Sequence, residues 1–208
     1  MLDVANLYCE RDERVLFTGL HFALREGQVL QVAGANGSGK TTLLRILCGL
    51  NPDYEGDIRW QGDDVKVAVE QYRAALFYLG HSPAINKTLT PLQNLRWFCA
   101  LRGFSDDAAI LAALARLGLH GYEDIPCHQM SAGQQRRVSL ARLQLSGARV
   151  WILDEPFTAL DRYGVAELEQ YIADFAGQGG AVILTTHHQL RLGCELTVLN
   201  LDTLAGRR

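Results

Sequence analysis

A glycine-rich segment that begins at Gly34 has the residue types and spacing needed to hold phosphate groups. It matches the pattern G-x-x-x-x-G-K-[ST], which ends here at Lys40 and Thr41. Glycines let the backbone fold around an anion, so that successive amide groups and the start of a helix face it. Lys40 can bring positive charge to the β and γ phosphates of a nucleotide, and the Thr41 hydroxyl can bind Mg²⁺. The residues predicted to contact a nucleotide here are Gly34, Ala35, Asn36, Gly37, Ser38, Gly39, Lys40, Thr41 and Thr42.

Two neighbouring acids follow the apolar run Val150–Leu153. Asp154, at the end of this predicted strand, can bind Mg²⁺ beside Thr41. Glu155, one residue later, can act as the general base on an attacking water. Acids commonly begin turns, so the pair alone carries little information. Downstream of a phosphate loop it predicts nucleotide hydrolysis, to which Lys40 also contributes.

A third segment, Met130–Gln134, begins a predicted helix. Ser131 is a residue type that caps helices, and a helix start attracts anions. The segment resembles the LSGGQ signature of ABC ATPases, and its Ser131, Gly133 and Gln134 match that pattern. The resemblance implies that these residues close on the γ-phosphate held by a second subunit. It therefore implies a homodimer with ATP sandwiched between its subunits.

Two later segments extend the resemblance to ABC ATPases. Thr158–Asp161 resembles the D-loop of that family, which implies that Asp161 contributes to the nucleotide site. His187 resembles the family's switch histidine, which contacts the γ-phosphate, and its neighbour His188 is the less favoured alternative.

Two positions depart from the family pattern. The family has Pro-Gln after the strand that corresponds to Ala75–Leu79, whereas this chain has Gly80 and His81. The family glutamine contacts Mg²⁺ and water, so His81 is the candidate for that role. The aromatic residue that stacks on adenine would fall near Arg11, whose guanidinium can also stack on a base. Tyr8 and Phe17 are the alternatives for this contact.

Four segments narrow the resemblance to the ATP-binding subunits of bacterial cytochrome c maturation (haem export) systems: Cys9–Arg14, Leu79–His81, Met130–Arg137 and Leu153–Thr158. This resemblance implies ATP and Mg²⁺ as cofactors and integral membrane ABC subunits as partners. It implies a peripheral position on the cytoplasmic face of the bacterial inner membrane. Whether hydrolysis moves haem or releases a haem-loaded chaperone stays open.

The elements that must position these residues follow from the apolar pattern. Short apolar runs predict buried strands at Val29–Ala33, Ala75–Leu79, Val150–Leu153 and Ala181–Thr185. Helical patterns cover Thr41–Cys48, Leu92–Leu101, Asp106–Leu117, Ala132–Leu145 and Val165–Phe175. Alternating patterns in residues 1–28 and 57–69 predict a smaller antiparallel sheet.

These elements predict an α/β fold of the P-loop NTPase class. Its parallel-sheet core carries an N-terminal antiparallel β subdomain and an inserted helical subdomain. We predict a single ABC ATPase domain over residues 1–208. Residues 1–81 and 146–208 would form the core with its antiparallel part, and residues 82–145 the helical signature subdomain.

Composition excludes several function classes. The net charge of −3 predicts no nucleic-acid partner. The basic cluster of Arg136, Arg137 and Arg142 is interpreted as a solvated helix face. No apolar run approaches the roughly 20 residues that a membrane-spanning helix needs, so another chain would have to cross the membrane. Five scattered cysteines favour reduced thiols over a disulfide framework.

Other functions fit the sequence less well. An ATPase subunit of a different ABC exporter remains an alternative. A soluble ABC ATPase needs coiled-coil insertions, tandem cassettes or basic surfaces, which a chain of 208 residues with a charge of −3 does not offer. A non-hydrolysing sensor is disfavoured because the chain keeps Lys40, Asp154, Glu155 and His187. A GTPase is disfavoured because the sequence after Asn86 and Lys87 gives no guanine-binding motif.

Overall fold

The computed structural model describes residues 1–204 of the chain. The helices and strands in this part are β1 (Leu2–Arg11), β2 (Arg14–Leu24), β3 (Val29–Ala33), α1 (Lys40–Leu47), β4 (Glu55–Trp60), β5 (Asp63–Asp64), α2 (Val69–Ala75), β6 (Leu76–Leu79), α3 (Pro91–Leu101), α4 (Asp107–Arg116), α5 (Ala132–Leu145), β7 (Val150–Asp154), α6 (Arg162–Gly177), β8 (Ala181–Thr185) and β9 (Leu196–Asn200). Two short 3₁₀ helices cover Cys127–Gln129 and Leu201–Thr203.

In residues 1–204 the centre of the fold is a five-stranded sheet with the order β6-β7-β8-β3-β9. All its neighbouring strands run parallel. Strands β7 and β8 are buried along their whole length because helices or sheet cover both faces. The α/β fold with a parallel core is therefore confirmed, as are the four predicted strands to within one residue. Strand β9 was missed because it lies at the sheet edge, where its side chains are only partly buried.

The second sheet is antiparallel and has the order β2-β1-β4-β5. Strands β1 and β2 form a hairpin whose two turn residues, Asp12 and Glu13, both have positive φ, at 52° and 61°. The N-terminal antiparallel sheet is thus confirmed. The sheet prediction for residues 57–69 was wrong at its end, because strand β5 stops at Asp64 and Val69 begins helix α2.

Helices α3, α4 and α5 follow the predicted positions within one residue at each end. Local capping explains their starts. The Thr90 side chain accepts a hydrogen bond from the Gln93 amide, and the Asp106 side chain accepts one from the Ala109 amide. Helices α1 and α6 are also present where helical patterns occur. Helix α6 extends beyond both predicted ends, and it starts earlier because Asp161 caps it.

Two apolar clusters lie on opposite faces of the parallel sheet. Trp151 and Leu153 face the cluster beneath α3–α6, whereas Val150 and Ile152 face the cluster shared with α1 and the antiparallel sheet. This alternation holds the end of β7 rigidly from both sides, which fixes the acids that follow it. In residues 1–204 no helix has the length and apolar character needed to cross a membrane.

Candidate nucleotide-binding site

The predicted phosphate loop connects β3 to α1. Gly39 caps α1 with a φ of 96°, and a Cβ atom there would lie 3.1 Å from Cβ of Leu16. The positive φ strongly favours glycine, and a side chain there would also press against Leu16. Helix α1 begins at Lys40, so its first amide groups face the loop and can bind an anion.

Lys40 reaches back across the loop that precedes it. Its Nζ atom donates hydrogen bonds to the carbonyl oxygens of Gly34 at 2.7 Å and Ala35 at 3.0 Å. The ammonium group therefore lies against the loop rather than extending into solvent. A positive charge held beside free helix amides suits the phosphates of a nucleotide.

Hard oxygen atoms that suit a magnesium ion meet beside the loop. The Thr41 hydroxyl donates to Oδ2 of Asp154 at 2.9 Å, and the Thr185 hydroxyl donates to Oδ1 of Asp154 at 2.7 Å. Asp154 is buried, with 3% exposure. In residues 1–204 no group of three or more His, Cys, Asp and Glu side chains could hold a metal ion. An ion at this position would therefore need nucleotide and water oxygens as well, which is typical of Mg²⁺.

Glu155 combines an unusual backbone with an unpaired oxygen. Its φ is 48°, and its amide is held by the Thr185 hydroxyl at 3.0 Å. Its Oε1 atom is buried and has no hydrogen-bond partner among residues 1–204. Nε2 of His187 lies 3.6 Å from Oε1 of Glu155, which is beyond hydrogen-bond range. Backbone strain and an unsatisfied buried acceptor both cost stability, so their coincidence marks a position that serves function.

These groups line one cavity of about 680 Å³, a size suited to a cofactor. Of the residues predicted to form the site, it brings together Arg11, Asn36, Gly37, Gly39, Lys40, Thr41, Thr42, His81, Asp154, Glu155 and His187. Gly34, Ala35 and Ser38 belong to the loop but do not line the cavity. Ser131, Gly133, Gln134 and Asp161 do not line it either.

The outer end of the cavity is formed by the β1–β2 hairpin. Arg11 and Arg14 flank its two-residue turn and both line the cavity. Arg14 was missed, although the turn residues between two apolar strands predict that positions 11 and 14 lie opposite each other. Neither alternative for stacking lines the cavity: Phe17 is fully buried, and Tyr8 lies outside it with its hydroxyl donating to Glu10 at 2.6 Å.

The signature segment forms a reciprocal cap at the start of α5. The Ser131 hydroxyl accepts from the Gln134 amide at 3.2 Å, and Oε1 of Gln134 accepts from the Ser131 amide at 2.9 Å. A Cβ atom on Gly133 would lie 2.8 Å from the carbonyl oxygen of Ala159. The start of α5 therefore packs tightly against the segment that leads to Asp161.

Asp161 caps helix α6. Its side chain accepts from the Gly164 amide at 2.8 Å and pairs with Arg137 at 3.0 Å. The Gly164 hydrogen bond, with Arg137 nearby, lowers the pKa of the Asp161 carboxyl below its ordinary value.

The interpretation of Arg136, Arg137 and Arg142 as a solvated face was wrong for Arg136, which is only 2% exposed. Burial lowers its pKa to about 10, and it is still positively charged at neutral pH. Its guanidinium donates to the backbone carbonyl oxygens of Gly80, His81, Asp154, Glu155 and Pro156. Arg136 therefore joins helix α5 to the ends of β6 and β7.

His81 is exposed and lines the cavity, and its carbonyl oxygen accepts a hydrogen bond from Arg136 at 3.3 Å. If the His81 ring orders water in this cavity, His81→Ala should lower ATP turnover roughly tenfold and leave nucleotide affinity nearly unchanged. Steady-state kinetics and a nucleotide titration measure the two effects. His81→Gln should retain most activity, and Ser82→Ala, at the exposed neighbour, serves as the control. Wild-type turnover in His81→Ala would remove the position from the mechanism.

A parallel α/β core, a phosphate loop and a strand-end acid pair define a P-loop nucleoside triphosphatase. A model of the ABC transporter family matches residues 17–158. The protein named cytochrome c biogenesis ATP-binding export protein CcmA from Hahella chejuensis is 48% identical over 205 residues, covering 99% of this chain and 97% of the relative. Its namesake from Pseudomonas syringae is 53% identical over 192 residues, covering 91% of this chain and 89% of the relative.

A solved structure of a putative ABC transporter ATP-binding protein from Pyrococcus furiosus has a TM-score of 0.86 at 23% identity and covers 99% of both chains. At that identity the likeness concerns the fold. The chain belongs to the ABC transporter family and, within it, to the cytochrome c biogenesis ATP-binding export proteins. It is accordingly an ABC-type ATPase subunit.

Proposed function

We propose that the chain hydrolyses Mg-ATP as the nucleotide-binding subunit of a cytochrome c maturation complex that exports haem or releases a haem-loaded chaperone. The observation that carries the ATPase part is the buried Oε1 atom of Glu155, which lacks a partner among residues 1–204 beside the bonded pair Thr41 and Asp154. The names of the curated relatives support the cytochrome c part.

Each part of the hydrolysis reaction is assigned to particular residues of this chain. The amides at the start of α1 and the ammonium of Lys40 bind phosphate oxygens. Thr41 and Asp154 hold Mg²⁺, which neutralises phosphate charge when bound. Glu155 accepts a proton from the attacking water through its Oε1 atom, and His187, 3.6 Å from that oxygen, helps to orient the γ-phosphate. His81, which follows β6 and lines the same cavity, orders water there.

We place the signature residues in a composite site between two copies of the chain. Ser131, Gly133, Gln134 and Asp161 do not line the cavity of their own chain, which supports a role toward nucleotide bound by a second copy. In this proposal residues 82–145 form the helical signature subdomain. Residues 1–81 and 146–204 complete the core and its antiparallel part, and residues 205–208 lie outside the part of the chain that the structure describes.

Mixing two inactive variants tests this geometry. Lys40→Ala removes the phosphate-binding charge, and Ser131→Arg obstructs the signature cap, so neither homodimer should turn over ATP. A mixed dimer keeps one intact composite site and should recover up to about half of the wild-type rate per dimer. Turnover is measured after co-expression with two affinity tags and tandem purification. A verified mixed dimer that stays as inactive as its parents would refute the composite site.

We further propose that the chain binds integral membrane ABC subunits at the cytoplasmic face of the bacterial inner membrane. The relatives' designation as export proteins supports such partners. The test is purification of the tagged chain from membranes in mild detergent, followed by identification of the co-purifying proteins. Recovery of membrane subunits of cytochrome c maturation is expected. Recovery of a different ABC membrane subunit would assign the chain to another exporter.

A further inference from the structure

We propose that Asp202, which lies outside every nucleotide-binding motif, positions Lys40 through the peptide group that links Gly34 and Ala35. Both Asp202 carboxylate oxygens accept from the Ala35 amide, at 3.0 Å and 3.1 Å. The Gly34 carbonyl oxygen, which belongs to the same peptide group, accepts from Nζ of Lys40 at 2.7 Å. The proposal rests on the ATPase function given above and assigns a further residue to its phosphate site.

One peptide group is therefore held between a carboxylate and an ammonium. A carboxylate at the N–H polarises the peptide and draws electron density toward the carbonyl oxygen. That oxygen becomes a stronger acceptor for the Lys40 ammonium, because hydrogen bonds in a chain reinforce one another and charge-assisted bonds are stronger than neutral ones. The negative charge also fixes the plane of the peptide, and with it the direction in which Lys40 is held.

The fold holds Asp202 beside the loop. Strand β9 runs parallel to β3, and its last residue, Asn200, pairs with Ala33, which directly precedes the loop. The Asn200 side chain accepts from the Asp202 amide at 3.0 Å, while Leu201 is fully buried. These two contacts hold in place the turn that carries the carboxylate.

The loop also leaves room for this carboxylate. Gly34 has a φ of 148°, and a Cβ atom there would lie 3.2 Å from Oδ1 of Asp202 and 2.5 Å from Oγ of Ser38. A side chain at position 34 would therefore disturb the approach of Asp202 as well as the loop. Glycine at this position serves both the phosphate loop and its contact with the last strand.

Two substitutions separate the charge of Asp202 from its shape. Asp202→Ala should raise KM for Mg-ATP about tenfold with kcat within about threefold of wild type, because Lys40 loses its fixed direction. Asp202→Asn keeps an oxygen acceptor but loses the charge, so KM should rise only about threefold. Thr203→Ala is the matched control. It removes a hydroxyl that donates to the Asn200 carbonyl at 2.8 Å in the same turn, and it should leave KM within about twofold.

A double-mutant cycle tests whether Asp202 acts through Lys40. ADP affinity is measured by calorimetry in wild type, Asp202→Ala, Lys40→Ala and the double variant. Asp202→Ala should weaken ADP binding about tenfold in the wild-type background and less than about twofold when Lys40 is already alanine. If the loss is equal in both backgrounds, or if Asp202→Ala tightens ADP binding, the proposal is overturned. If Asp202→Ala fails to fold, the same double-mutant cycle is measured with Asp202→Asn, for which smaller changes in ADP affinity are expected. Failure of the proposed ATPase function would be seen separately, because wild type and Lys40→Ala would then show the same ATP turnover.

Discussion

Glu155→Gln should lower the rate of ATP hydrolysis by about 10²-fold or more while ATP binding is kept. Glutamine preserves the shape of the side chain and its contact with the cavity but cannot accept the proton of the attacking water. The closed, ATP-bound dimer should then accumulate, because the step that opens it is blocked. Single-turnover assays measure the chemical step, and size-exclusion chromatography with Mg-ATP measures the dimer.

The matched control for this substitution is Glu167→Gln, at an exposed glutamate of helix α6. It makes the same chemical change away from the cavity and should leave both turnover and dimer formation as in wild type. Persistent turnover in Glu155→Gln, together with a purely monomeric elution, would show that another residue activates the water.

The second large effect is expected at Arg136. Arg136→Met keeps the length of the side chain but removes the guanidinium hydrogen bonds to carbonyl oxygens at the ends of β6 and β7. Buried acceptors left without a donor each cost about 1 to 3 kcal/mol, so the free energy of unfolding should fall by about 3 kcal/mol. Turnover should fall at least about tenfold even well below the unfolding midpoint, because the backbone that carries Asp154 and Glu155 is no longer held.

Arg136→Lys and Arg116→Met complete this experiment. Lysine keeps the charge, but its ammonium cannot span carbonyl groups on two strands, so it should rescue stability only in part. Arg116 pairs with Asp174 at 3.2 Å near the surface, with half of its side chain exposed. Its loss should cost less than about 1 kcal/mol. Denaturant unfolding and turnover are measured on all variants. Wild-type stability and turnover in Arg136→Met would show that the buried contacts carry no net energy.

Much of the site could be predicted because its functional residues lie in short continuous segments of the sequence. The phosphate loop needs consecutive residues, Asp154 and Glu155 end one strand, and Ser131 with Gln134 forms a cap within one helical turn. Each of these depends on local backbone geometry, which a few neighbouring residue types determine. Strands β3, β6, β7 and β8 of the parallel sheet were accessible for a similar reason, since their extensive burial demands a nearly continuous apolar run.

Contacts between distant segments could not be predicted in the same way. Arg136 looks like a surface arginine in its own helix, and only packing brings it to carbonyl groups of β6 and β7. The partly exposed strand β9 has no strong apolar run, so the position of Asp202 beside Ala35 could not be seen either. Phe17 was a plausible stacking residue from its sequence position, but its side chain is fully buried in the core beside Leu16. These outcomes depend on tertiary neighbours rather than on residue type.

The strand order also sets when the parallel sheet can form during synthesis of the chain. Strand β3, which leads into the phosphate loop, pairs with β8 on one side and β9 on the other, both from the far end of the chain. A ribosome therefore exposes the loop long before either neighbour of its strand has been made. Until β8 and β9 emerge, the nascent chain carries a phosphate loop whose supporting sheet is unformed. Pairing of β9 with β3 is therefore a late, non-local step of folding.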